Sequence, residues 1–262
     1  MLHTNNGFRP TAVPAREIEV TLRAPGEITL ASYNIHLGIG QDGAFSPARI
    51  AGVLAELEAD VIALQEVESG TGGFDMFGYL RDSGNFAAVS GPTLQRAGRE
   101  YGNALLTRCP VLDVRRIDLS MPRREPRGAL DAVLDCGGHV VRVVCTHLGL
   151  RPAERRHQIR ALLRLVGDDA TTPAVLMGDI NEWFLWGRPL RWLHRTFGRA
   201  RAPRTFPARF PLFALDRIWV RPCGLLRSVA VHSTPLARAA SDHLPLIARI
   251  ATDRQKTQAL HS

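Results

Sequence analysis

Residues 173–183, PAVLMGDINEW, hold the reading from which the rest of the chain follows. An apolar run from Ala174 to Met177 stops at Gly178, and three polar groups come at once: Asp179, Asn181 and Glu182. A short bounded run of this kind reads as a buried strand. Acid and amide groups at its exit sit where open α/β sheets place their ligands, outside the strand ends. On an extended segment alternate side chains share a face, so Asp179 and Asn181 are expected to project together. A carboxylate beside a carboxamide can hold a water or a phosphate oxygen. Gly-Asp and Asn are also ordinary turn residues, and the stretch alone does not choose between a site and a turn.

The flanking chain repeats the pattern. Residues 27–36, EITLASYNIH, alternate as a strand, with Asn34 and His36 sharing a face with Ser32. After a glycine loop, Ser46-Pro47 starts a helix with Ser as N-cap and Pro at the first position. Ile50, Val53, Leu54 and Leu57 then follow at helical spacing. Residues 60–67, DVIALQEV, read as a buried strand with Glu66 near its exit. An ionised Glu there needs a cation, a hydrogen-bond network or solvent. Segment 69–100 is Gly-rich and polar, with a short strand expected at Phe86–Val89. A hairpin is expected next, Asn103–Thr107 and Val111–Leu119 about a turn at Arg108-Cys109-Pro110. Ala129–Leu134 and Val140–Leu148 are further strands, the second delivering His147. Pro152 opens a helix whose apolar face is Ile159, Leu162, Leu163 and Val166, with Arg155, Arg156 and Arg160 expected on a solvated side. Gly187–Phe197 reads as a short helix. The strand in ALDRIWV contains Asp216, Val229–His232 is a further strand, and SDHLPLIARI carries Asp242 and His243 at the mouth of the last, Leu244–Ile250.

A chain of 262 residues suits one large α/β domain, 27–251, between an N-terminal tail or edge segment, 1–26, and a C-terminal tail, 252–262. No apolar run approaches the roughly 18 residues that span a membrane, and the N-terminus has no signal-like core, so a soluble, cytoplasmic monomer is expected. Cys109, Cys136, Cys145 and Cys223 show neither zinc spacing nor a disulfide framework. Cys136 and Cys145 read as small buried hydrophobes in a reducing compartment. A net charge of +8 favours polyanionic partners without choosing among them. P-loop, nucleophile-elbow and H-E-x-x-H motifs are absent from the sequence, which argues against those enzyme classes.

Asn34, Glu66, His147, Asp179, Asn181, Asp216, Asp242 and His243 all fall at or near strand exits. Carboxylates and amides with few cysteines suit a hard cation, Mg²⁺ with Mn²⁺ as the alternative, better than zinc. A histidine paired with an aspartate is a tunable acid or base. The inventory suits metal-assisted hydrolysis of a phosphate ester.

The segments ASYNIHLG, DVIALQEV, YGNALLTR, VVCTHL, LMGDINEW, ALDRIWV and SDHLPL, in that order over residues 28–250, resemble the endonuclease/exonuclease/phosphatase superfamily, with its deoxyribonuclease I-like phosphohydrolases. The resemblance extends to its small bacterial members. It implies a four-layer αββα sandwich, two packed mixed β-sheets flanked by helices, with the site at one end. It implies Glu66 as principal metal ligand, with Asn34 beside it and Asp242 near. Asp179 would orient or deprotonate the attacking water, and Asn181 would bind phosphate. His243, paired with Asp242, would be general base or phosphate ligand. His147 would contact phosphate and help protonate the leaving group, and Asp216 would orient His147. His36, Asn103 and Arg127 are expected phosphate contacts. The implied substrate is a phosphodiester: nucleic acid first, a phospholipid, sphingomyelin-type lipid or small phosphate ester as the alternative. A phosphate-binding scaffold with catalysis lost would normally show a substituted Glu66, Asp179 or His243, and none is substituted. Trp183, Phe184, Trp186 and Trp192 admit three readings: an apolar lip for lipid, stacking platforms, or core.

Overall fold

The computed structural model describes residues 26–70, 73–96, 98–167 and 171–252. Within these the chain runs β1 (Glu27–Asn34), α1 (Pro47–Leu57), β2 (Val61–Ser69), α2 (Met76–Gly84), β3 (Ala87–Arg96), β4 (Arg99–Thr107), β5 (Val111–Asp118), β6 (Gly128–Asp135), β7 (Val140–His147), α3 (Pro152–Gly167), β8 (Ala174–Asp179), α4 (Arg188–Phe197), β9 (Asp216–Arg221), β10 (Leu226–Val231), α5 (Pro235–Ala240) and β11 (Leu246–Ala251). The segments expected as tails, 1–26 and 252–262, lie outside the described residues except for Gly26 and Thr252.

Two mixed sheets form, one ordered β10-β11-β1-β2-β4-β3 and the other β5-β6-β7-β8-β9. The central strands β1, β2, β7 and β8 are covered on both faces and buried at most positions, whereas the edge strands β5 and β10 are largely exposed or intermediate. Ile28, Leu30, Val61, Ala63, Val143, Val175, Met177 and Ile218 pack between the sheets. The alternate residues Ala31, Tyr33, Ile62 and Leu64 meet α1, α2 and α5, and Val144, Leu176 and Trp219 meet α3 and α4. The result is the expected four-layer αββα sandwich.

This alternation places the polar exits. Asn34 shares parity with Ile28 and Leu30, His147 with Val143, Asp179 with Val175 and Met177, and Asp216 with Ile218. All four therefore lie on inner faces at one end of the sandwich. Glu66 has the parity of Ile62 and Leu64, which face the helices. A regular strand would bury its carboxylate in that apolar layer. Instead the β2–β4 register shifts between Leu64 and Val67, and Glu66 adopts φ +60°. The extra residue turns Glu66 toward Asn34 and returns Val67 to the helix side, a bulge that re-aims one side chain.

Several sequence expectations are corrected. β4 and β5 are not a hairpin: they lie in different sheets, and Arg108–Pro110 is the crossing between them. β4 pairs instead with β3, which extends well past Val89. α2 and α5 arise in stretches read as irregular or left unassigned. α2 starts at Asp75, whose side chain accepts from the Gly78 amide, and α5 at Thr234, which accepts from the Ala237 amide. Ser46 precedes α1 as expected but makes no side-chain cap, so the start rests on Pro47. Cys136 is not a free thiol. It is bonded to Cys109 with the Cα atoms 4.9 Å apart, which ties the β4–β5 crossing to the β6–β7 turn. The reducing-compartment argument, built on unpaired cysteines, loses that support. Cys145 is free and buried, and burial pushes its thiol up to about 12. No helix among the described residues is long and apolar enough to cross a membrane.

The disulfide should contribute about 2–4 kcal/mol of stability. Urea unfolding of Cys136→Ser under oxidising conditions should show a lower midpoint than wild type, and dithiothreitol should bring the two together. Equal midpoints under oxidising conditions would remove the bond from the account.

Candidate active site

Asp179 sits at the end of β8 with 1% of its surface exposed. It is in register with His147 on β7 and Asp216 on β9, so three inner-face groups stand in a row across one sheet. Asn34 faces them from the other sheet. Its amide nitrogen donates to Asp179 Oδ2 at 3.1 Å and to Glu66 Oε1 at 3.1 Å, and its Oδ1 accepts from the His36 amide at 3.1 Å. One carboxamide thus joins two carboxylates. The chain reverses after β1 with His36 and Leu37 at φ +46° and +56°, so His36 does not continue the strand face of Asn34. Its ring Nδ1 lies 3.2 Å from the Ile39 carbonyl and 3.9 Å from Asp242 Oδ1, on the open side of the cluster.

Gly178 lets β8 approach β7. At φ +146°, a Cβ there would collide with the Thr146 carbonyl oxygen. Two residues on, Asn181 has φ +53°, and the strand has ended. Asn181 therefore does not project beside Asp179 by alternation. Its backbone amide donates to Asp179 Oδ1 at 2.9 Å, an Asx turn. Its side-chain amide donates to the Leu148 carbonyl at 3.0 Å, tying the exits of β7 and β8. Turn and site are the same structure here.

The two histidines hold different charges. Arg127 Nη1 lies 3.2 Å from His147 Nδ1. A guanidinium only donates, so Nδ1 accepts and the ring proton sits on Nε2, 3.5 Å from Asp179 Oδ2. Burial, opposed by Asp179 and reinforced by the Arg127 and His243 charges, pushes His147 down to about 3. His147 is therefore neutral. His243 places Nδ1 2.9 Å from Asp216 Oδ2 and Nε2 3.7 Å from Asp179 Oδ2. Burial opposes its protonation. The charges of Asp216 and Asp179, with the hydrogen bond to Asp216, outweigh that and raise it to about 10. Thr205 Oγ1 also donates to Asp216 Oδ2, at 2.5 Å. The expected pairing is corrected on both counts: Asp216 orients His243 rather than His147, and Asp242 is not the partner of His243. Asp242 sits one-third exposed near His36, where its charge acts on Glu66.

A divalent cation fits this donor set. Burial, together with the charges of Asp242 and Asp179, holds Glu66 above its ordinary range, the Asn34 hydrogen bond only partly offsetting them. No arginine among the described residues is ion-paired with it. Asp216 Oδ1 is buried without a hydrogen-bond partner. Glu66 and Asp242 bring two carboxylates to the open side of the cluster, close enough for the Asp242 charge to act on Glu66. Asp179, Asp216 and His243 also bring ligand atoms within 4.8 Å of one another, but there both imidazole nitrogens already face carboxylates, and the positive charge is the proton on His243. Asn103 and Arg127 line a recess beside His147, with Thr93 and Tyr101. Asn103 donates to the Gly128 carbonyl at 3.0 Å.

Sequence reading missed one pair. Arg155, assigned to the solvated side of α3, is 1% exposed and donates from Nε to Glu182 Oε2 at 3.1 Å and from Nη1 to the Leu150 carbonyl at 2.5 Å. It clamps the loop after β7 to the loop after β8. The signal was present: Arg155 precedes Ile159, Leu162 and Val166 by four, seven and eleven residues, on the buried stripe. Arg155→Ala should cost about 3–5 kcal/mol by stranding Glu182, read by denaturant unfolding. A loss under about 1 kcal/mol, the range of exposed pairs, would show the pair to be solvated.

His243 supplies a pH test on metal-free protein in EDTA. Its folded pKa lies above its ordinary 6.5. Its stabilisation is therefore complete below about pH 6.5 and is lost as pH climbs toward 10. His147 behaves oppositely, losing stability as pH falls from 6.5 toward 3. Wild type should lose unfolding midpoint between pH 6.5 and 10, and His243→Ala should lack that share of the fall. Parallel curves would contradict the protonated histidine.

The comparisons with known proteins agree on the fold. Residues 31–243 match the model of the Endonuclease/Exonuclease/phosphatase family. The uncharacterized protein YbhP of Escherichia coli is 38% identical over 161 residues, 57% of this chain and 62% of YbhP. The chain thus spans less than two thirds of that curated relative. A Beutenbergia cavernae endonuclease/exonuclease/phosphatase superposes with TM-score 0.72 at 22% identity, covering 86% of this chain and 72% of that one. The catalytic domain of human nocturnin, solved with a bound sulfate anion, gives 0.66 at 18% identity over 87% of this chain and 94% of its own.

Proposed function

The chain belongs to the endonuclease/exonuclease/phosphatase family, and on that premise we propose that it is a Mg²⁺-dependent phosphodiesterase, Mn²⁺ being the alternative ion, with residues 27–251 as its catalytic domain. The observation that carries this reading is the convergence of Asn34, His147 and His243 on one oxygen, Asp179 Oδ2, within 3.1–3.7 Å. Glu66, Asn34 and Asp242 would hold the cation, which when bound neutralises phosphoryl oxygens and favours attack at phosphorus.

The side chains divide the remaining work. Asp179, fixed through Oδ1 by the Asn181 amide, takes a proton from the attacking water through Oδ2. His243 keeps its proton on the Asp216 side and presents a charged ring to a phosphoryl oxygen, so it acts as a phosphate ligand more than as a base. His147 donates from Nε2 to another oxygen, its tautomer set by Arg127. Asn181, Asn103, Arg127 and His36 border the space a phosphate would take.

For substrate, nucleic acid is the first reading, and the net charge of +8 suits it as it suits any polyanion. A phospholipid headgroup is the second reading, favoured by one observation: Phe184, Leu185 and Trp186, directly after the site, are exposed. The test is hydrolysis of DNA, RNA, phospholipids, inositol phosphates and bis(p-nitrophenyl) phosphate with Mg²⁺, Mn²⁺ or EDTA. Asp179→Ala and His243→Ala should each lose about a hundredfold or more in turnover, and Glu66→Ala should need far more Mg²⁺. Wild-type turnover in either of the first two would remove that residue from the mechanism. A panel left uncleaved under every metal would favour a phosphate-binding scaffold.

A further inference from the structure

Between Glu182 and Asp216 the chain has seven arginines and no aspartate or glutamate. The same span holds the largest exposed apolar side chains of the described residues: Trp186 is 73% exposed and Phe210 72%, with Phe184, Leu185 and Leu212 also above half. They stand on two loops, 183–187 and 206–213, that meet through ring contacts of Trp183 with Phe213 at 4.8 Å and with Phe206 at 5.9 Å. Phe206 in turn packs on His243 at 4.8 Å. The apolar rim is thus continuous with the active site, and Arg188, Arg204 and Arg209 on its flanks are exposed.

Apolar surface of this kind on a soluble face is unfavourable unless something covers it. Two properties select the cover. First, the set mixes aromatic with aliphatic groups. Leu185 and Leu212 have no π-face for a nucleobase, and Phe184 and Trp186 lean on each other at 42° rather than forming a flat stacking platform. Second, the span's charge is entirely positive. Tryptophan, phenylalanine and leucine bordered by arginines is the composition of surfaces that seat at the headgroup level of a bilayer.

We propose that the loops 183–187 and 206–213 form a docking surface for an anionic phospholipid bilayer, inserting Trp186 and Phe210 among the acyl chains while the flanking arginines contact lipid phosphates. Docking does not require catalysis. The step from docking to cleavage of a headgroup phosphodiester rests on the phosphodiesterase reading.

The experiment is co-sedimentation of the full chain carrying Asp179→Asn, so that no lipid is consumed, with vesicles of phosphatidylglycerol and phosphatidylcholine or of phosphatidylcholine alone. Tryptophan emission and its quenching by brominated acyl chains report insertion. Binding to the anionic vesicles should exceed binding to neutral ones by roughly tenfold or more and should weaken with salt. Adding Trp186→Ser and Phe210→Ser should reduce it by roughly tenfold or more, since two large apolar groups no longer leave water. Both residues are exposed, so circular dichroism and the unfolding midpoint should be unchanged. Absence of binding to anionic vesicles, equal binding by the double variant, or loss of single-stranded oligonucleotide binding in that variant without vesicle binding would each overturn the proposal. None of these outcomes depends on whether the enzyme turns over.

Discussion

A carboxylate taken out of water is costly unless donors replace the water it lost. Asp179 imposes that constraint on this fold. The Asn181 amide comes from the turn just after it, and the Asn34 carboxamide and two imidazoles must be brought in from three other segments. Much of the irregular backbone at this end of the sandwich follows. Glu66, Asn181 and His36 take left-handed conformations that side chains with a Cβ adopt reluctantly. Strain of this sort persists where surrounding contacts over-determine it, and the contacts here are the same hydrogen bonds that satisfy the buried charges.

Two histidines of one residue type, both beside Asp179, end in opposite protonation states. The difference is their second neighbour. A guanidinium behind His147 denies it a proton on Nδ1, whereas a carboxylate behind His243 holds one there. Exchanging Arg127 and Asp216 in thought would exchange the roles. The assignment of proton positions thus belongs to the residues behind the two imidazoles.

Strand parity made most of this legible in the sequence. Once a strand is accepted, Asn34, His147, Asp179 and Asp216 follow the same faces as Leu30, Val143, Met177 and Ile218, and the row in register across β7, β8 and β9 is a consequence. What parity could not give was anything that breaks period two. Glu66 lies on the wrong face until the bulge is known. Asn181 leaves the strand by a turn that its Asx chemistry allows but does not compel. The Asp216–His243 pair depends on the approach of the β11 mouth to β9, which no local spacing encodes. Arg155 is a different failure: its helical spacing was correct for burial, and its charge argued otherwise. The cysteine bond was illegible because Cys109 and Cys136, 27 residues apart, meet only after β5 and β6 fold back as a hairpin in the second sheet.

That bond has a mechanical meaning. Cys109 follows the C-terminal end of β4, and Cys136 follows that of β6, whereas His147 ends β7 at the opposite end of the β6–β7 pair, and Glu66 lies in β2 beyond the β2–β4 register shift, away from Thr107. The two sheets are riveted covalently at one end and joined toward the other by hydrogen bonds, from Asn34 to Asp179 and from Asn103 to the Gly128 carbonyl. The covalent tie thus stands at the end of the sandwich away from Asp179, and the site end relies on noncovalent contacts between the sheets.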